Sequence, residues 1–297
     1  MIEKYINPFT DFGFKKIFGD EQNKDLLIDF LNEVLQEKSK IIDLTFLKNE
    51  QLGVSQSDRK AVFDLYCQNE KGEKFIVELQ KAKQEFFKDR SLYYATFALQ
   101  EQAVPGDWDF KLNAVYSVSI MDFVFDEHSE NKDKLRHDVK LIEEETGKVF
   151  NPKLRFIYLE MPKFNKTEDE LETNYDKWLY LLKNLARLQN ASPKLQERVF
   201  KKAFKVAEIA NYTREEFRNY QDSVKYYRDL KNVVDTAIKE GTAQGKAQGK
   251  AEGKAEGKAE GRAETTLEIA LNMKNLLVDT ETIITATGLS REEIEKL

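Results

Sequence analysis

The sequence predicts an α/β domain followed by an all-helical C-terminal region. Three observations carry that expectation: helical apolar spacing near the start, two alternating runs around a short loop, and a second half marked by helix-capping signatures and a four-residue repeat. In residues 20–38 the apolar positions Leu26, Leu27, Phe30, Leu31, Val34 and Leu35 recur at helical spacing, with Asn23 or Asp20 available as the cap. A short β-like run follows at residues 41–47. Residues 60–68 and 74–81 then alternate on either side of Glu70-Lys71-Gly72, as the strands of a hairpin do.

Three-residue hairpin loops commonly combine a type I turn with a left-handed third residue, a conformation that Gly72 accepts because it lacks a Cβ. If Asn69 pairs with Glu73, stepping outward sets Tyr66 opposite Ile76 and Asp64 opposite Glu78. All four point to one face, and Gln80 lies on that face too. Residues 86–103 read as a helix ended by Pro105 and Gly106, residues 113–120 as a strand, and residues 139–142 and 154–159 as two more.

Thr167 with Glu170 forms a capping-box signature before the helix carrying Trp178, Leu179, Leu182 and Leu185, and Thr213 with Glu216 forms another before a second long helix. Residues 241–264 repeat every four positions as Gly, a basic residue or Thr, Ala, then Gln or Glu. On a 3.6-residue helix such a repeat drifts slowly, so glycines and alanines form narrow stripes open to close helix contact. Each glycine costs about 1 kcal/mol relative to alanine. Coiled-coil pairing with a second copy is expected to offset that weakness. The tail, residues 280–297, holds two short helical patterns around Gly288, the second capped by Ser290 and Glu293; its REEIEKL helix has more acids than bases and suits packing rather than DNA reading.

Of 297 residues, 41% are hydrophobic and 34% charged, which permits a sizeable core without one compact globule throughout. Lys and Arg total 47 against 53 Asp and Glu, so a net charge of −6 supplies no global field for nucleic acid, and any DNA contact must come from local basic patches. Cys67 is the single cysteine, excluding an intrachain disulfide and a Cys-cluster zinc site, and His128 and His137 lack the usual ligand spacing. A metal would therefore be held by carboxylates. The N-terminal residues lack a secretory apolar core and no run reaches the ~20 apolar residues of a membrane span. A soluble cytoplasmic protein with no membrane partner is expected.

Carboxylates directly opposite on an antiparallel pair have Cβ atoms about 5 Å apart, and like charges there are destabilising. A cation removes the objection. Hard oxygen ligands suit Mg²⁺, or Mn²⁺, completed by water and substrate phosphate. Val62, Phe63, Leu65, Ile76, Val77 and Leu79 surround Asp64 and Glu78, so the hairpin is expected to be buried on both faces, where lone charges are costly. That combination suits metal-dependent phosphodiester cleavage.

NPFTDFGFKKIFG, the FDLYC strand, the VELQ strand and FFKDRSLYY, within residues 5–125, together resemble the PD-(D/E)XK nuclease-fold transposase group, and the chain is similar to the Rpn recombination-promoting nucleases. The helical second half and its GKAEGKAEG run share that character. The resemblance implies a restriction-endonuclease-like core with a mixed central sheet flanked by helices over residues 1–165. A helical region would follow at 166–240, a Gly/Ala-repeat helix at 241–264 and a helical tail at 265–297. It also implies a Mg²⁺-dependent DNA endonuclease linked to recombination or mobile elements, with DNA as partner and a homodimer formed through the C-terminal helices.

By the same resemblance Asp64 and Glu78 are catalytic metal ligands, the Leu79 carbonyl is a further ligand, and Asp11 is a supplementary one, equally readable as a helix N-cap. Gln80 stands where most such enzymes carry lysine, although the transposase-like pattern resembles Glu-x-Gln. Glutamine can orient a water but cannot stabilise hydroxide by charge. The missing charge is expected from Lys15, before Lys81 or Lys83. Lys16, Lys81, Lys83, Arg90 and Tyr94 are candidate DNA contacts, with Arg90 equally readable as pairing with Glu78 or packing its stem on aromatics. The competing reading is a catalytically silent nuclease-like scaffold that acts through its C-terminal repeat.

Overall fold

The computed structural model describes residues 3–51, 61–128, 130–131 and 133–297. Two helices come first, α1 (Asp11–Phe18) and α2 (Lys24–Leu35). Then follow β1 (Leu44–Phe46), β2 (Glu50–Gln51), β3 (Ala61–Val62), β4 (Leu65–Asn69), β5 (Lys74–Gln80), α3 (Phe87–Gln100), β6 (Val115–Met121), β7 (Arg136–Ile142) and β8 (Val149–Glu160). The remaining helices are α4 (Asn174–Asn184), α5 (Arg198–Ala207), α6 (Arg214–Asn275), α7 (Thr280–Thr287) and α8 (Arg291–Glu295).

The main sheet has six strands in the order β1-β4-β5-β6-β8-β7, parallel at β5–β6 and β6–β8 and antiparallel elsewhere. It is the mixed, helix-flanked α/β sheet that the sequence predicts. Strand alternation divides its residues between two cores. Phe75, Val77 and Leu79 of β5 join the larger one with Phe14, Phe30, Trp178 and Phe200, while Ile76 joins Tyr66, Phe156 and Tyr158 beneath Phe87, Ala95 and Ala98 of α3. Trp178 is fully buried against Phe18, Phe30 and Phe200, and its Nε1 donates to Asp29 at 2.6 Å. Truncating it to alanine should cost about 3–5 kcal/mol.

The hairpin register follows from its loop. Gly72 has φ +78°, its amide donates to the Asn69 carbonyl at 3.0 Å, and the Asn69 amide donates to Glu73 at 3.0 Å. Tyr66 then pairs with Ile76 and Leu65 with Val77. The expected strand over residues 60–68 is broken, however: β3 pairs with β2 and stops at Val62, and the backbone bends at Asp64 before β4 begins. Val62 is 58% exposed, so the hairpin is not covered on both sides there. Residue 60 lies outside the described residues.

One helix boundary also differs, and one helix is additional. Thr167 and Glu170 do form a capping box, but it heads only a 3-10 turn; the chain then extends to bury Leu171, and α4 starts from a second box, Thr173 with Asp176. The helix α5, unforeseen, buries Phe200, Ala203, Phe204 and Ala207 at spacings of one turn. Thr213 and Glu216 cap α6 from both sides, at 3.2 and 2.8 Å.

The chain divides into two compact units, Met1–Asn232 and Val233–Leu297. In the second, Ala270, Ile283 and Ile294 make a small core. Gly288 at φ +73° ends α7, and a Ser290–Glu293 capping box opens α8. Gly241, Gly245, Gly249, Gly253, Gly257 and Gly261 each have open space where a Cβ would project. Among the described residues no helix is long and apolar enough to cross a membrane.

Candidate active site

Asp64 occupies the bend before β4, one step beyond the last ladder pair, and Glu78 lies near the end of β5. Each acid is tied to the other strand by a main-chain amide: the Asp64 N–H donates to Glu78 Oε1 at 3.3 Å, and the Leu79 N–H donates to Asp64 Oδ2 at 2.7 Å. A strand residue directs its N–H and C=O to the same edge, so the Leu79 carbonyl also faces the Asp64 side. The next carbonyl, of Gln80, faces β6 and accepts from Asp122 N–H at 2.9 Å.

Both carboxylates are half-buried, and both resist ionisation. Burial pushes Asp64 up, helped by the charge of Asp11 and opposed by the Leu79 amide, Lys15 and Lys81. Burial and then the Asp64 charge push Glu78 up to about 8, against the pull of the Asp64 amide, Arg90 and Lys15. The neighbouring cations are engaged elsewhere. Lys15 pairs with Asp11 at 3.2 Å, and Arg90 donates to Gln80 Oε1 at 2.5 Å while lying over the rings of Phe87 and Tyr94.

Beside Glu78 in the sheet stands Ser119 of β6, fully buried, whose hydroxyl has no hydrogen-bond partner among the described residues. Two carboxylates that resist ionisation, a strand carbonyl on the same edge and an orphaned hydroxyl nearby form an oxygen-rich donor set. That set fits a hard divalent cation carrying water.

Other expected residues are distributed unevenly around the pair. Asp11, Lys15 and Lys81 act on it electrostatically, and Lys81 lies over the Tyr226 ring. Asp11 does not cap α1; the Thr10 hydroxyl does, accepting from Gly13 N–H at 3.0 Å. Both polar atoms of Gln80 are engaged, since its Nε2 donates to the Ala82 carbonyl at 2.8 Å and its Oε1 accepts from Arg90. Lys16 pairs with Glu216 at 2.7 Å, Lys83 pairs with Asp126, and Tyr94 packs edge-on against Phe63.

Two features were invisible in the sequence pattern. Ser119 reaches Glu78 only through the parallel register of β5 and β6. His128 and His137, which lack the usual ligand spacing, converge on Glu160, at 3.0 and 3.1 Å, because β7 brings His137 back along β8 and the turn Asp126–His128 brings His128. Spacing rules detect ligands on one helix or loop and cannot report contacts made by sheet register.

The family model described as PD-(D/E)XK nuclease family transposase matches residues 8–237, a span that includes the whole six-stranded sheet and both Asp64 and Glu78. Among curated proteins and among solved structures, nothing matches the chain. Because the family match covers most of its length, and the sheet within it is the mixed one described above, the chain belongs to the PD-(D/E)XK nuclease family transposases, and its function is nuclease- or transposase-related.

Proposed function

We propose that the protein is a Mg²⁺-dependent DNA endonuclease linked to recombination or mobile elements. Asp64 and Glu78 would hold the ion, with the Leu79 carbonyl and Asp11 as supplementary ligands. The observation that carries this reading is the pair itself: two half-buried acids bridged by main-chain amides, with Glu78 pushed up to about 8. When bound, a divalent ion of the Mg²⁺ or Mn²⁺ type supplies charge at the scissile phosphate and acidity to an attacking water.

The chain's own residues do the positioning. The Leu79 amide fixes one Asp64 oxygen, and the other would serve as the ligand. Gln80 accepts from Arg90 and so holds a permanent positive charge on the Glu78 side of the strand, suited to the charge that develops on phosphorus-bound oxygens. Lys15 adds a second charge within reach of both acids. Lys16, Lys81, Lys83 and Tyr94 are read as DNA contacts, formed when phosphate competes with their present partners.

Residues 1–165 are read as the nuclease-like domain, 166–240 as a helical region, 241–264 as the pairing helix and 265–297 as its terminal tail. The open space around the repeat glycines supports close approach of a second helix, hence a homodimer. A silent scaffold is the second reading, favoured by the commitment of both Gln80 amide atoms to Ala82 and Arg90.

The test is nicking of supercoiled plasmid with Mg²⁺ and with EDTA. Activity with Mg²⁺ that falls at least ~10²-fold in both Asp64→Asn and Glu78→Gln supports the endonuclease. Wild-type protein that binds DNA but cuts neither plasmid nor single strands, with Mg²⁺ or Mn²⁺, supports the scaffold instead.

A further inference from the structure

A second set of metal-competent side chains comes together at the C-terminal end of β8. Glu160 closes that strand and is fully buried. In the sheet register Met121 stands between Glu160 and Gln80, so the two are about 10 Å apart at ~4.8 Å per strand. His137 enters from β7 and His128 from the 3-10 turn Asp126–His128. His128 Nδ1 lies 3.0 Å from Glu160 Oε1, His137 Nε2 lies 3.1 Å from Oε2, and the three ligand atoms are all within 4.8 Å of one another.

We propose that His128, His137 and Glu160 form a second metal site, for a transition-metal ion of the Zn²⁺ class. Two imidazoles and one carboxylate are the donors of borderline ions, in contrast to the all-oxygen pair at Asp64 and Glu78. Ligand bonds of 2.0–2.2 Å in a tetrahedral shell set ligand atoms about 3.3 Å apart, so the nitrogen–oxygen separations already present need only small side-chain adjustments. The imidazole rings are stacked at 3.8 Å and 9°, and small rotations would aim both ring nitrogens at an ion beside Glu160.

The surroundings provide support and access. The Phe125 N–H donates to Glu160 Oε1 at 2.9 Å and orients the carboxylate. Lys163 Nζ lies 2.7 Å from Oε2 and balances the Glu160 charge in the metal-free protein. Its further bonds to the carbonyls of His128 and Lys134, at 2.7 and 3.3 Å, retain it when an ion takes over the carboxylate. Both histidines line a cavity of about 520 Å³ walled by Leu92, Phe125, Val139 and Tyr158. The His128 side chain is 26% exposed. Three protein ligands beside an open cavity leave a fourth position for water or a small anionic ligand.

The test titrates Co²⁺ into the full-length protein with excess Mg²⁺ present, reading the visible absorption of four-coordinate cobalt. One equivalent should bind in wild type and equally in Glu78→Gln, and Zn²⁺ should displace it. His128→Gln and His137→Gln should each weaken binding at least ~10²-fold. Absence of a cobalt signal in wild type, or binding indifferent to both histidine substitutions, overturns the proposal. Should the variants fail to fold, X-ray absorption on the wild-type cobalt complex decides: two imidazole ligands support the site, and an oxygen-only shell refutes it.

Discussion

Glu78→Gln should make the metal-free protein less sensitive to alkali and more stable at pH 8. In the folded chain Glu78 is pushed from 4.5 up to about 8. Because the folded-state value lies above the unfolded one, the stability this group contributes is fully present below pH 4.5 and is lost as pH rises through about 8. Between those limits the unfolded chain has released a proton that the folded chain retains. At ~1.36 kcal/mol per pH unit the ceiling is about 5 kcal/mol. Water reaching the half-buried pair screens part of it, leaving about 2 kcal/mol.

Glutamine removes the titration while keeping an acceptor for the Asp64 amide and adding a donor for the Asp64 carboxylate. The assay is thermal unfolding in EDTA at pH 5 and pH 8, followed by tryptophan fluorescence. Trp108 and Trp178, the two tryptophans, both lie in the Met1–Asn232 unit, so the signal reports that unit. The midpoint of the variant should exceed wild type at pH 8 by roughly 4–8 °C. A variant that is less stable at pH 8, or that loses stability with pH as steeply as wild type, would refute the reasoning.

Other substitutions address the remaining elements. Gly72→Ala should cost about 1–2 kcal/mol, read as a lower unfolding midpoint, because φ is +78° and the new Cβ would meet the Asn113 amide nitrogen at 2.7 Å. Arg90→Met should reduce plasmid nicking ~10²-fold without unfolding the chain, and Lys15→Met should reduce it less, since Lys15 is shared with Asp11. The opposite ranking would move the working charge to α1. Leucine at both Gly249 and Gly253 should preserve helicity by circular dichroism while converting a dimer to a monomer by light scattering. An unchanged dimer mass would remove the glycine stripe from the interface.

Local rules carried the sequence reading furthest where one turn or one period decides the outcome. Gly72 set the hairpin register because its loop length and left-handed φ leave few alternatives. The Ser290–Glu293 box placed α8 for the same reason. Thr167 and Glu170 misled because burial of Leu171 outweighs continuation of a helix that the box alone would favour. The break at Asp64 was illegible, since the alternation of residues 61–66 runs straight through it. Ser119, Arg90 on Gln80, and the histidines on Glu160 depend on contacts between elements distant in sequence, which periodicity does not encode.

The central claim is that Asp64 and Glu78 are held ready for a cation, and the most direct measurement is proton release on Mg²⁺ binding. Calorimetric titration at pH 7 in two buffers of different ionisation enthalpy gives the number of protons released per ion. With Glu78 at about 8, the account predicts that wild type releases most of a proton per ion and that Glu78→Gln releases clearly less. Mg²⁺ binding with no proton release, or with equal release in both proteins, would contradict it.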